Sequence, residues 1–151
     1  MAKLTLRDIA EKMRDIDFTM LSTRAEGGQI AARPMSNNRQ VEYDGDSFFF
    51  AYESTRTVAD IQRDPKVGMS LQGSSGLLGM RPLMLSIEGE AELIRDKARF
   101  EAHWTKDLDL WFEQGIDTPG LVMIKVHACR IHYWDGKDEG EFVIERSHIE
   151  P

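Results

Sequence analysis

Cys129 is the only cysteine among 151 residues, so no intramolecular disulfide can form and nothing in the cysteine pattern supports secretion. Long apolar runs are missing too. None approaches the ~20 residues that cross a bilayer as a helix. The opening Met-Ala-Lys-Leu-Thr-Leu-Arg-Asp lacks the apolar core of a signal peptide, and a cytoplasmic location is the expectation. Basic residues are outnumbered, with 19 Lys and Arg against 26 Asp and Glu and a net charge of −7. That balance argues against general nucleic-acid binding and against adhesion to anionic membranes, which want a basic face. It leaves room for a small anionic ligand held by local arginines. Gly73-Ser74-Ser75-Gly76 with Gly79 is glycine-rich but has no lysine, so it is not a nucleotide P-loop. No Gly-x-Ser-x-Gly elbow occurs, and nothing points to hydrolysis. Repeats, linkers and low-complexity tracts are also absent, and residues 1–151 read as one domain.

What is present alternates with the period of strands. Thr5 to Asp8 has the form of a capping box, and Leu6, Ile9, Ala10, Met13 and Ile16 share one helical face behind it. Phe18 to Thr23 predicts a strand, Glu26 to Gln29 a turn, and Ile30 to Met35 the pairing strand. Asp44-Gly45-Asp46 turns into a third strand, Ser47 to Tyr52. A helix over Thr55 to Arg63 ends at Asp64-Pro65, because proline disfavours helix in the residue before it. Val67, Met69 and Leu71 mark a further strand. Leu83 to Leu93 alternates apolar residues with Met84, Ser86 and glutamates, as a long antiparallel strand does. Asp96 caps a third helix carrying Phe100 and Trp104. Leu121 to Asp135 predicts one or two strands, Asp138 to Glu141 a solvated turn, and Glu141 to Glu145 a last strand. With six or seven strands, about three short helices and no βαβ rhythm, the fold class is mainly β: an antiparallel barrel with peripheral helices.

Two segments carry the candidate chemistry. Arg33 ends a short strand beside Pro34 and Met35. The aromatic strand through Phe50 and Ala51 runs into Ser54-Thr55-Arg56-Thr57 where a helix begins. Hydroxyls, a guanidinium and the free N–H groups of a helix start, with a second arginine nearby, make a pocket for a phosphate monoester. Each residue also has an ordinary reading. Arg33 suits the solvated outer face of a strand, Ser54 or Thr55 the helix cap, and Trp134 the core. His127, Cys129 and His132 invite a metal, but strand alternation puts His132 on the opposite face and no fourth ligand is near, so none is expected. Cys129 reads as a small buried hydrophobe.

The order of these pieces, joined to the His103 to Gly120 stretch and to Tyr133-Trp134-Asp135, resembles the flavin-binding split barrels related to pyridoxamine-phosphate oxidase, most closely their general-stress-protein branch. The resemblance implies a homodimeric split β-barrel with flavin mononucleotide (FMN), or another flavin such as FAD, between two chains. By that similarity Arg33, Pro34, Met35, Phe50, Ala51, Ser54, Arg56, Thr57, Met84, Ser86 and Trp134 contact the cofactor, and NAD(P)H is a candidate electron donor. The oxidases have Ser-Arg-Lys after the aromatic strand where this chain has Ser-Thr-Arg-Thr, one basic residue fewer. Met84 stands where they carry the glutamine that reaches the partner's flavin, so pyridoxamine-phosphate oxidase activity itself is not expected. The catalytic residues stay unassigned. Three readings remain open: a flavin-dependent redox protein, a flavin-storing protein without turnover, and a dimeric barrel that has lost its cofactor.

Overall fold

The computed structural model describes residues 4–37, 43–73 and 82–144. The glycine-rich segment from Ser74 onward, including Gly76 and Gly79, lies outside the described residues, as does Glu145. One sheet of seven antiparallel strands organises the molecule: β1 (Phe18–Arg24), β2 (Ile30–Ser36), β3 (Asp46–Tyr52), β4 (Lys66–Gln72), β5 (Met84–Ile94), β6 (Leu121–Asp135) and β7 (Asp138–Val143). They run in the order β2-β1-β4-β5-β6-β3, with β7 also on β6. The sheet curls into a split half-barrel, and the helices are α1 (Leu6–Met13), α2 (Arg56–Arg63) and α3 (Lys97–His103). Among the described residues no helix is long and apolar enough to cross a membrane.

Local chemistry explains the helix starts. Thr5 and Asp8 form the reciprocal capping box of α1, Thr55 accepts the Val58 N–H at the start of α2, and Asp96 accepts the Ala98 N–H at α3. Helix α1 then buries Ile9, Ala10 and Met13 in the main core with Leu21, Phe49, Met69, Ile87, Ile124 and Ile131. A second core lies under α3, where Phe100 meets Phe50 edge-on at 5.8 Å and Trp104 packs beside it. Trp104 follows α3 as its cap residue rather than lying within the helix.

Strand β6 is single, 15 residues long, and serves three partners. It pairs with β5 along its length, with β3 in its first half and with β7 in its second. Its pairing with β5 shifts by one residue, since Gly89 opposes Ala128 and Glu88 opposes Arg130, leaving Cys129 as a bulge. This corrects strict alternation. A one-residue slip exchanges the faces, so Val126 and Ala128 point to the core before the bulge and Ile131 and Tyr133 after it. His127 and His132 therefore share the opposite face. No group able to hold a metal occurs among the described residues.

The expected turn at Asp138 to Glu141 is instead the start of β7. The chain reverses within Gly136-Lys137, and Asp135 pairs directly with Asp138. Glu141 sits across from His132 and Glu139 across from Trp134, and their carboxylates reach diagonally to pair with Arg130 and His132, which gives the acidic segment a reason to extend. Gly140 lies flat beneath the Tyr133 ring, where a Cβ would collide with it.

Candidate functional site

Edge strand β2 presents Arg33 to the inner side of the barrel rim. Its partner across the ladder is Leu21, a core residue, so the outer-face reading is excluded. The side chain is only 21% exposed. Its Nη1 donates to the Thr23 hydroxyl at 2.7 Å and the Leu21 carbonyl at 3.2 Å, and its Nη2 lies 3.7 Å from Asp60 Oδ2. Asp60 comes up from α2, is 3% exposed, and also receives the Thr23 hydroxyl at 2.8 Å and Arg63 at 3.0 Å.

The β3–α2 turn supplies the other half of the site. Thr55 is the cap, its hydroxyl donating to the Tyr52 carbonyl and accepting from Val58. The helix leaves the N–H groups of Arg56 and Thr57 without an intrahelical partner. Ser54 and Arg56 are exposed, and among the described residues neither side chain makes a hydrogen bond or ion pair. Thr57 is buried beneath the turn. The preceding Glu53 is held by both arms of Arg95, at 2.6 and 2.9 Å, so its charge is matched away from Arg56.

Burial first, and the like charge of Arg56 second, pull the Arg33 pKa below its ordinary value, while Asp60 opposes them. Burial alone would raise Asp60. Hydrogen bonds from Thr23 and Arg63, with the charges of Arg63 and Arg33, outweigh it and hold the carboxyl below the usual value. A carboxyl depressed on folding adds stability above its unfolded pKa and loses it as pH falls through the folded one. Asp60→Asn should therefore lower the melting midpoint at pH 7, with the gap to wild type closing as pH drops below the carboxylate range. A gap that stays constant from pH 7 to pH 3 would show that Asp60 is not charged in the fold.

Two clefts hold other sequence candidates. The smaller, about 220 Å³, is walled by Pro34, Met35, Phe50, Leu108, Trp111 and Phe112. The larger, about 700 Å³, lies on the outer face and is lined by Met20, Ser70, Met84, Ser86 and Trp134 among others. Phe18 lines both. The sequence candidates therefore fall into three groups: Arg33 with Arg56, whose charge it feels, at the helix start that also carries Ser54 and Thr57; Pro34 and Met35 with Phe50; and Met84 and Ser86 with Trp134. Ala51 is buried and lines neither cleft. Trp134 is not a core residue: it is 37% exposed and stacks on His132 at 3.9 Å.

Sequence reasoning missed Phe18, Met20, Trp111 and Asp60. The signals were there. Strand β1 buries Thr19, Leu21 and Thr23 while exposing Phe18 and Met20, an inverted pattern that marks an outward apolar surface. Asp60 falls among Thr57, Val58 and Ile61 on the buried side of α2, where an acid needs partners.

Known structures share this architecture. A protein from Clostridium acetobutylicum, related to general stress protein 26 of Bacillus subtilis and of the pyridoxinephosphate oxidase family, is 21% identical with a TM-score of 0.76, over 92% of this chain and 94% of that one. General stress protein 26 from Bacillus anthracis is 20% identical with a TM-score of 0.70, over 90% and 98%. A heme binding protein from Mycobacterium smegmatis is 15% identical with a TM-score of 0.71, over 95% of this chain and 60% of that one. At these identities the likeness establishes the split-barrel fold alone. No curated protein matches the sequence. The sequence pattern of one family, however, runs through residues 5–148, and the chain belongs to that family, described as pyridoxamine 5'-phosphate oxidase like.

Proposed function

We propose that the protein binds FMN and serves as a flavin-dependent redox protein. The observation that carries this reading is the Arg56 guanidinium at the start of α2, which has no hydrogen bond or ion pair among the described residues and lies within electrostatic reach of Arg33, the strand neighbour of the cleft-lining Pro34 and Met35. A cation with no partner among the described residues, free helix N–H groups and Ser54 suit a phosphate monoester. Pro34, Met35 and Phe50 offer an apolar wall to a flat ring system, and no charged residue lines either cleft. The residues thus fit the cofactor. Bound flavin supplies hydride and single-electron chemistry that the side chains themselves lack. The chain's part is to hold the phosphate, orient the ring and limit its access to water.

Haem is the other ligand that a neighbour's name raises. It is disfavoured here because both ring nitrogens of His132, the exposed-face histidine nearest Trp134, face carboxylates, Glu139 at 2.9 Å and Glu141 at 3.6 Å. An axial ligand would have to leave both.

A titration following flavin fluorescence tests the proposal. Quenching is expected below tens of micromolar, roughly −6 kcal/mol, and its absence would sink the reading. A steady-state assay with NAD(P)H then separates turnover from storage. A colourless protein that ignores FMN would favour a barrel without cofactor.

We also propose that a second copy covers the outer face, where Phe18 and Met20 of β1, Met84 of β5 and Trp134 of β6 are exposed along one cleft. Burying aromatic and methionine side chains favours such pairing. If the flavin sits at that seam, FMN stabilises the pair by mass action. Sedimentation at low micromolar protein should show a dimer that tightens with FMN. A monomer binding FMN at full stoichiometry would refute the shared site.

A further inference from the structure

We propose that Asp60 is the positioning residue of the anion site: from inside the barrel it pins the Arg33 guanidinium, so that one of the two cations of the site is already ordered before a phosphate monoester arrives. This rests on the FMN reading above. Three elements converge on the one carboxylate. Thr23 comes from β1, Arg33 from β2 and Arg63 from α2 itself. Arg33 is tied to it twice, directly at 3.7 Å and through the Thr23 hydroxyl, which accepts from Arg33 at 2.7 Å and donates to Asp60 at 2.8 Å.

A buried carboxylate needs a compensating cation. Arg63, one helical turn on at 3.0 Å, already supplies it. The second cation is therefore not required to keep Asp60 in the fold. What the contact accomplishes is at the other end. Arg33 and Arg56 carry like charge and repel; burial is the main cause that pulls the Arg33 pKa down, and Arg56 adds to it. Without a ligand, two such guanidiniums separate unless something holds one of them. Asp60 does so for Arg33, together with the Leu21 carbonyl. Arg33 is thus ordered before the anion arrives, and binding does not have to immobilise it. Arg56, with no such tether among the described residues, is left to close on the ligand.

The test measures dissociation constants of FMN and riboflavin by fluorescence quenching for wild type, Asp60→Asn and Thr23→Val, each also in an Arg33→Ala background. The readout is the preference for FMN over riboflavin, which a general loss of stability does not move. Asp60→Asn should reduce that preference about tenfold, the scale of one charge-assisted hydrogen bond, and leave riboflavin affinity unchanged. Thr23→Val should move it the same way. In the Arg33→Ala background neither substitution should reduce it further.

Equal losses for both flavins, or an undiminished effect without Arg33, would overturn the proposal. So would an unchanged or raised preference, which would make Asp60 a bystander or merely an opposing charge. Should Asp60→Asn fail to fold, Thr23→Val decides by the same ratio. A wild-type protein that binds neither flavin, or both equally, overturns the FMN reading and this inference with it. A clear wild-type preference that Asp60→Asn leaves intact overturns this inference alone.

Discussion

Gly89→Val is expected to cost the fold about 3 kcal/mol or more and to lower the thermal midpoint by roughly 6–12 °C. Gly89 stands in the middle of β5 beside the bulge in β6. A Cβ there would lie 2.6 Å from the His127 carbonyl oxygen, 3.3 Å from its carbon and 3.1 Å from a Val126 methyl. Two of the three are backbone atoms, which cannot swing aside as a side-chain tip does. Relief requires β5 and β6 to separate where they meet along their full length. Gly68→Ala is the control. It is also a strand glycine, but its Cβ would meet nothing nearer than 3.7 Å, and its midpoint should hold within about 2 °C. Circular dichroism melts of the two variants decide the matter, and equal midpoints would show that the ladder accommodates the bulge without glycine.

Arg56→Ala should weaken FMN by about ten- to a hundredfold, the 1.5–3 kcal/mol of a hydrogen bond to a charged group. Riboflavin, which lacks the phosphate, should bind as before. The substitution is clean because Arg56 has no hydrogen bond or ion pair to lose among the described residues, and alanine is the better helix former. Thr55, which caps the helix, stays in place. Equal losses for the two flavins would assign Arg56 to the fold rather than to the ligand.

The framework of the molecule was legible where local chemistry is decisive. The capping threonines, the Asp64-Pro65 stop and the alternation from Leu83 to Leu93 each predict an element that the structure contains. The phase of a strand was readable only until its register changed. Nothing in Val126 to Asp135 announces that Cys129 bulges, because the bulge is defined against the neighbouring strand, where Gly89 leaves room for the His127 carbonyl. His132 was therefore placed on the wrong face. The Asp138 to Glu141 segment read as a solvated turn on composition, whereas its glutamates extend to meet Arg130 and His132 across the ladder.

The candidate site was legible as residue types at a helix start, but its support was not. Arg33 looked like a surface arginine because a sequence cannot show a carboxylate 27 positions later rising beneath it. The outward Phe18 and Met20 were visible as an inverted alternation, yet alternation alone does not say which side is the core. That choice is made by α1 and α2, which cover the Thr19 and Thr23 side.

The shared strand β6 has a consequence for how the chain reaches this state. Asp46 of β3 is bonded to His127, 81 residues later. As a ribosome delivers the chain in order, β1, β2 and β4 can pair early, while the aromatic strand Phe48-Phe49-Phe50 waits with an unpaired edge until β6 has emerged. Closing so long a loop is slow, and an apolar strand left open meanwhile is prone to self-association. Refolding should accordingly have a late phase in which β3 and β6 dock together, and the loss of soluble protein during that phase should rise with concentration.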